Sequence, residues 1–196
     1  GSLLGSIISG VFILMMGTSE TVMQYSMLIA YPVSFIPPLL YASAKSRRNE
    51  FFDKGYALDS NNYGPKGGLK MGLIVSIATI AAALVCEPLS AMLPEMPERL
   101  KASLEMLTNG PLWVALLSVS IFAPLFEEWL CRGIILRGLL KKVGPAWAIV
   151  ISAAVFGLIH GNIWQAIPAF LIGCLLGYVY YKTGSLKLTM LMHCVN

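Results

Sequence analysis

Charge is what this sequence has least of. Only 12% of its 196 residues are Asp, Glu, Lys or Arg, against 57% hydrophobic, and the mean hydropathy is +0.72. A soluble domain of this length needs roughly a quarter of its residues charged to cover its surface. The shortage points to lipid as the main solvent. Basic blocks long enough to track a phosphate backbone are missing, so the net charge of +4 excludes nucleic acid as the natural partner. Cysteine is sparse as well. Cys86, Cys131, Cys174 and Cys194 lie within or at the ends of apolar runs, with no CxxC or CxxH spacing. They read as small buried side chains rather than as disulfides or zinc ligands. There is no charged n-region or cleavage site of a signal peptide. Gly1-Ser2 resembles an expression remnant, and the sequence stops at Asn196 a few residues into an apolar helix, which reads as a truncation.

What is present is a series of long apolar runs. Hydropathy and punctuation predict an all-α, polytopic transmembrane helix bundle of about seven segments, the last incomplete. The segments run over about 3–16, 22–44, 71–85, 111–140, 145–160 and 164–181, with the seventh starting at Ser185. Pro32, Pro37 and Pro38 predict kinks in the second. The polar stretch 45–70 reads as an exposed loop. Between 87 and 110, Leu100, Leu104 and Leu107 recur at helical spacing among charges, as in a short amphipathic helix lying at the membrane interface or an ordinary solvated linker helix. At 1.5 Å per residue the fourth segment reaches about 45 Å, longer than the ~30 Å hydrocarbon core, so it must tilt, kink at Pro124, or protrude. Residues 1–110 form an N-terminal membrane part and 111–196 a core that carries the chemistry, together one integrated domain.

Orientation follows from the basic residues. Lys45, Arg47, Arg48, Lys54, Lys66, Lys70, Arg132, Arg137, Lys141, Lys142, Lys182 and Lys187 fall on one face if the helices alternate. Arg99 and Lys101 alone fall on the other. By the positive-inside rule the richer face is cytoplasmic.

A charge at mid-membrane costs about 2.5–3.5 kcal/mol even on the lenient insertion scale, yet the fourth segment carries Glu127 and Glu128 side by side. Glu128 and Arg132 are one helical turn apart and suited to pair. Glu127 points about 100° away around the helix and has no partner within its segment. The only two histidines, His160 and His193, lie in the fifth and seventh segments. Counted from the turn near 141–144, Glu127 and His160 sit at about 20 and 22 Å, and His193 reaches about 12 Å above Ser185. A carboxylate and two imidazoles converging in a low-dielectric site can move a proton.

These residues resemble the motifs of the type II CAAX prenyl proteases and their bacterial relatives, the CAAX-protease and bacteriocin-processing (CPBP, or Abi) family. Glu-Glu-x-x-x-Arg stands at Glu127, Glu128 and Arg132, and Phe-x-x-x-His at Phe156 and His160. His193 matches the third motif, in which Asn or Asp follows four residues later. Position 197 lies beyond the sequence, and Asn196, three after His193, is a weak stand-in. The resemblance covers about 123–196. It implies an intramembrane glutamate protease without a metal cofactor. Glu127, assisted by His160, would activate water, and His193 with an asparagine would stabilise the oxyanion. Glu128 and Arg132 would be structural or substrate-positioning, with Phe156 packing against the site. The implied partner is a membrane-embedded or lipidated peptide. A short, compact chain suggests a bacterial inner-membrane member, and the estimated depths put its site within reach of the cytoplasmic side.

Other chemistries use the same residues. Two histidines and a glutamate suit zinc with an open position for water, although HExxH is missing. Cys131 and Cys194 lie near Glu127 and His193, but apolar burial disfavours a thiolate. A bacteriocin-immunity or scaffold protein would need only binding. A proton-coupled transporter would also bury Glu and His, but no pair of broken helices repeats in the two halves.

Overall fold

The computed structural model describes residues 2–47, 58–108 and 111–196. Among them there is no strand, and the chain is an all-α bundle. The helices are α1 (Ser2–Met16), α2 (Glu20–Ser34), α3 (Ile36–Arg47), α4 (Gly67–Ala91), α5 (Glu98–Thr108), α6 (Leu112–Leu139), α7 (Pro145–Leu158), α8 (Ile163–Thr183) and α9 (Leu186–Val195). Among the described residues four stretches are long and apolar enough to cross a membrane: Glu20–Ala42, Gly64–Ala91, Leu112–Leu139 and Ile163–Thr183. Outward-facing Leu14, Leu69, Ile77 and Leu84 are more than half exposed, as expected of side chains whose surroundings are lipid rather than water.

Among the described residues, apolar helices appear where hydropathy places them, with shifted ends: four long ones and three shorter ones. The second segment breaks at Phe35, whose N–H bonds to Pro32 O at 3.1 Å. Pro37 and Pro38 have no N–H for the next helical bonds, so the ladder stops and restarts as α3. The third runs past its expected end at residue 85, through Glu87 and Pro88, to Ala91. One proline removes one bond, and the surrounding turns carry the helix through.

The fourth segment solves its excess length in an unexpected way. Leu116–Phe122 and Trp129–Leu136 are π-helical and flank the α-helical Ala123–Glu128. Ala123 N–H reaches back five residues to Ser118 O, and Arg137 N–H to Arg132 O. Wider turns take up more residues per unit of axis, and such insertions recur at functional sites. Pro124 sits after the first wide stretch.

Helix α9 occupies the centre. Val75 and Cys86 of α4, Ile172 and Leu176 of α8, and Leu188 and Met192 of α9 form one buried cluster. Leu136, Leu140, Ala148, Tyr180 and Leu186 form a second, between α6, α7, α8 and α9. Helices α7 and α8 approach through small residues, as membrane helices do. A methyl added at Gly157 would lie 2.6 Å from Ala166 O, and one at Gly173 3.1 Å from the Phe156 ring. Helix α5 is amphipathic as expected, with Leu100 and Leu104 half-buried and Arg99, Lys101 and Glu105 exposed. The Leu107 side chain lies outside the described residues.

The 45–70 stretch is not simply an exposed loop. Residues 48–57, with Arg48 and Lys54, lie outside the described part, but 58–60 dock onto the α8–α9 turn. Ser60 N–H bonds to Gly184 O at 2.9 Å and Tyr180 OH to Leu58 O at 3.1 Å. Asp59 Oδ1 accepts Leu186 N–H at 2.8 Å and Ser185 Oγ–H at 3.2 Å, while Lys187 Nζ stands 2.9 Å from Oδ2. Free N–H groups at a helix start attract a carboxylate, and here a distant loop supplies it alongside the local cap Ser185. On the opposite face, Gln24 Nε2–H bonds to Met106 O and Trp164 Nε1–H to Pro94 O. The loops therefore sort onto two faces as the alternating topology requires.

Partial burial pushes the Asp59 carboxyl up, but hydrogen bonds from Lys187, the charge of Lys187 and the Leu186 N–H outweigh it, so it lies below the usual carboxylate value. A depressed carboxyl stabilises the fold above its unfolded value of about 3.9, and the contribution is lost as pH falls through the folded value. Asp59→Ala is expected to cost about 1 kcal/mol at pH 7. The gap between the melting curves of wild type and variant in one detergent should close as the pH drops below about 4.

Candidate active site

The carboxylates of α6 diverge, as the 100° step predicts. Glu128 turns inward and is fully buried together with Arg132. Arg132 Nη1 lies 2.7 Å from Glu128 Oε1, its Nη2 donates to Gly173 O at 2.9 Å, and its Cζ sits 4.5 Å above the Phe156 ring. One guanidinium thus ties α6 to α8 and to α7. In the same wide turn the carbonyl of Cys131 accepts Ser152 Oγ–H at 2.8 Å.

Glu127 turns the other way, into a cavity of about 570 Å³ that it lines with Tyr31, Ser118, His160, Gln165 and His193. Its Oε1 accepts the Tyr31 hydroxyl. Its Oε2 is buried with no hydrogen bond and lies 3.9 Å from His193 Nε2.

The histidines are held by their inner nitrogens. Helix α7 ends with His160 N–H bonding to Gly157 O, which leaves Phe156 O without its usual backbone donor. His160 Nδ1 takes that carbonyl at 2.8 Å. A carbonyl only accepts, so Nδ1 bears the proton and the outer nitrogen Nε2 is left to act in the cavity. His193 Nδ1 lies 3.1 Å from Glu128 Oε1. A carboxylate already gripped by Arg132 is an acceptor too, so this Nδ1 also carries the proton and Nε2 faces Glu127. The Phe156 ring stands edge-on between both imidazoles, with centroids 5.4 Å from each.

The structure therefore gathers Glu127, His160 and His193 around one cavity, with Glu128, Arg132 and Phe156 behind them. Asn196 lines the same cavity and is exposed. Two details depart from expectation. Glu128 does more than neutralise Arg132, because it also orients His193. Cys194 is exposed on the cavity rather than buried, while Cys86 and Cys131 are buried and all four cysteines are free. The cavity is lined toward the ends of the helices that lie on the α5 side, at Gln24, Val114 and Gln165. Among the described residues no three His, Cys, Asp or Glu side chains group as metal ligands do.

Sequence reasoning missed Tyr31 and Gln24. They lie seven residues apart, on one face of α2, and both line the cavity. Two hydrogen-bonding side chains at that spacing in an apolar run were the available signal.

The helical bundle thus carries a cavity with paired carboxylates and two histidines. Residues 109–196 match the family model described as type II CAAX prenyl endopeptidase Rce1-like, and over those residues the chain resembles that family. No curated protein and no solved structure matches the chain.

Proposed function

We propose that the protein is an intramembrane endopeptidase that hydrolyses a peptide bond of a membrane-associated or lipidated substrate, with Glu127 as the base. The observation that carries this reading is the buried Oε2 of Glu127, without a hydrogen bond and 3.9 Å from His193 Nε2, on a side chain that lines one cavity with both histidines. Water held between Glu127 Oε2 and His160 Nε2 attacks the carbonyl carbon and gives its proton to the carboxylate. The C=O electron pair moves onto oxygen. His193 Nε2 serves that oxyanion as a donor when its ring carries both protons, with Glu128 and Arg132 fixing the ring. The C–N bond then breaks, and the proton taken by Glu127 passes to the leaving nitrogen. Acid and amine products balance the water consumed.

The test is reconstitution of the full-length protein in vesicles with three fluorogenic peptides: farnesylated on a C-terminal Cys-aliphatic-aliphatic-X tail, palmitoylated, and unlipidated with a transmembrane anchor. Mass spectrometry of the products should reveal one internal cleavage site, and chelation should leave the rate unchanged. Cleavage lost on chelation and restored by zinc would overturn the metal-free mechanism. No cleavage of any peptide, together with biological activity intact in Glu127→Gln, His160→Ala and His193→Ala, would point to binding alone.

A further inference from the structure

Tyr31 belongs to α2, outside the residues 109–196 that match the family model. Its hydroxyl nevertheless donates to Glu127 Oε1 across 96 positions of sequence. The contact is built rather than incidental. The Tyr31 ring packs on Phe35 at 5.2 Å, Phe35 stacks on Phe126 at 5.3 Å, and Phe126 meets Phe122 edge-on at 6.1 Å. This aromatic ladder keys the end of α2 to the α6 turn that bears Glu127.

Tyr31 also stands at a boundary. With Met27 it lines both the catalytic cavity and a second cavity of about 570 Å³ between α1 and α2. The second is walled by Gly5, Ser9, Gly10 and Ala30. The phenol ring is thus part of the partition between the reacting carboxylate and that groove.

We infer that Tyr31 is a positioning residue for hydrolysis. By holding Oε1, it fixes the rotamer of Glu127 and leaves Oε2 as the oxygen that takes the proton from water. A carboxylate in a cavity has several rotamers of similar energy, and only one presents Oε2 beside His193. A hydrogen bond to a charged group is strong enough to select among them. The inference rests on the reading of Glu127 as the base, and it adds a residue from the N-terminal helices to the machinery.

The experiment measures kcat and KM of Tyr31→Phe in vesicles, on whichever of the three peptides wild type cleaves. Phe keeps the ring and its packing and removes only the hydroxyl. The expected result is a kcat lower by about tenfold to a hundredfold, with KM and the melting temperature close to wild type. The same substitution is then made in Glu127→Asp, whose shortened carboxylate no longer reaches the hydroxyl. There the further loss should be threefold or less by rough estimate. An equal loss in both backgrounds, an effect on KM alone, or a Tyr31→Phe protein that fails to fold would each overturn positioning in favour of a packing role. Wild-type kcat in Tyr31→Phe beside an inactive Glu127→Gln overturns the inference and leaves the protease reading intact. An active Glu127→Gln overturns the reading itself.

Discussion

Glu127→Gln should lower peptide hydrolysis by about a hundredfold to ten-thousandfold while leaving the bundle folded. The amide is nearly isosteric with the carboxylate. It still accepts the Tyr31 hydroxyl through its oxygen and fills the same volume beside His193. What it cannot do is take a proton from water at the Oε2 position, and nothing else described at that wall of the cavity is a carboxylate. Glu128 is not a substitute, because its Oε1 is committed to Arg132 and His193 and the side chain is wholly buried. The measurement is single-turnover cleavage in vesicles, with melting temperature and substrate binding determined on the same preparation. A variant retaining more than about a tenth of wild-type turnover would remove Glu127 from the role of base.

Arg132→Ala has the largest expected effect on stability. Taking away one partner of a buried ion pair leaves the other charge uncompensated, which costs about 3–5 kcal/mol. Here the loss is compounded. Glu128 Oε2 is already buried without a hydrogen bond, so deleting Arg132 leaves the carboxylate only His193 as a partner, removes the donor to Gly173 O and uncovers Phe156. Arg132→Lys should recover only part of the loss, since an ammonium is a point charge that cannot bond Glu128 and Gly173 through a planar fork while lying over a ring. An Arg132→Met, Glu128→Leu double variant should be far more stable than Arg132→Ala, because no charge is left behind. Its hydrolysis should still fail for want of the carboxylate that orients His193. Chemical unfolding in mixed micelles reads the stability series, and vesicle cleavage reads the activity. Equal stability of Arg132→Ala and wild type would mean that the pair contributes little to the fold.

Much of this was legible in the residues, for identifiable reasons. Long apolar runs are forced to be helices in lipid, so the seven segments follow from hydropathy alone. Glu127 and His160 were placed together by counting from a short turn, which works because antiparallel neighbours share a depth scale. His193 was counted shallower than the other two, yet its Nε2 lies 3.9 Å from Glu127 Oε2. Axial rise ignores how far an imidazole and a glutamate reach toward each other, and the two rings and carboxylates close that gap. The wide turns flanking Glu127 were not legible, since a period of 3.6 is the only one that pattern reading tests for. Asp59 at the start of α9 and Tyr31 against Glu127 were also out of reach. Both contacts join parts of the chain about a hundred residues apart, and neither lies in a motif.

The 14 residues of α7 span about 21 Å, well short of a ~30 Å hydrocarbon core. His160 follows at the end of this helix, and a polar Gly161-Asn162 turn comes next. That turn cannot sit comfortably in hydrocarbon, so the bilayer must dip to meet it or water must descend to it. If Glu127 acts as the proposed base, membrane thickness becomes a reaction variable. Short-chain lipids would match the stunted helix and wet the imidazole, whereas thick, ordered ones would strand it dry. A hydrolase of the proposed kind would draw its water through the mismatch itself.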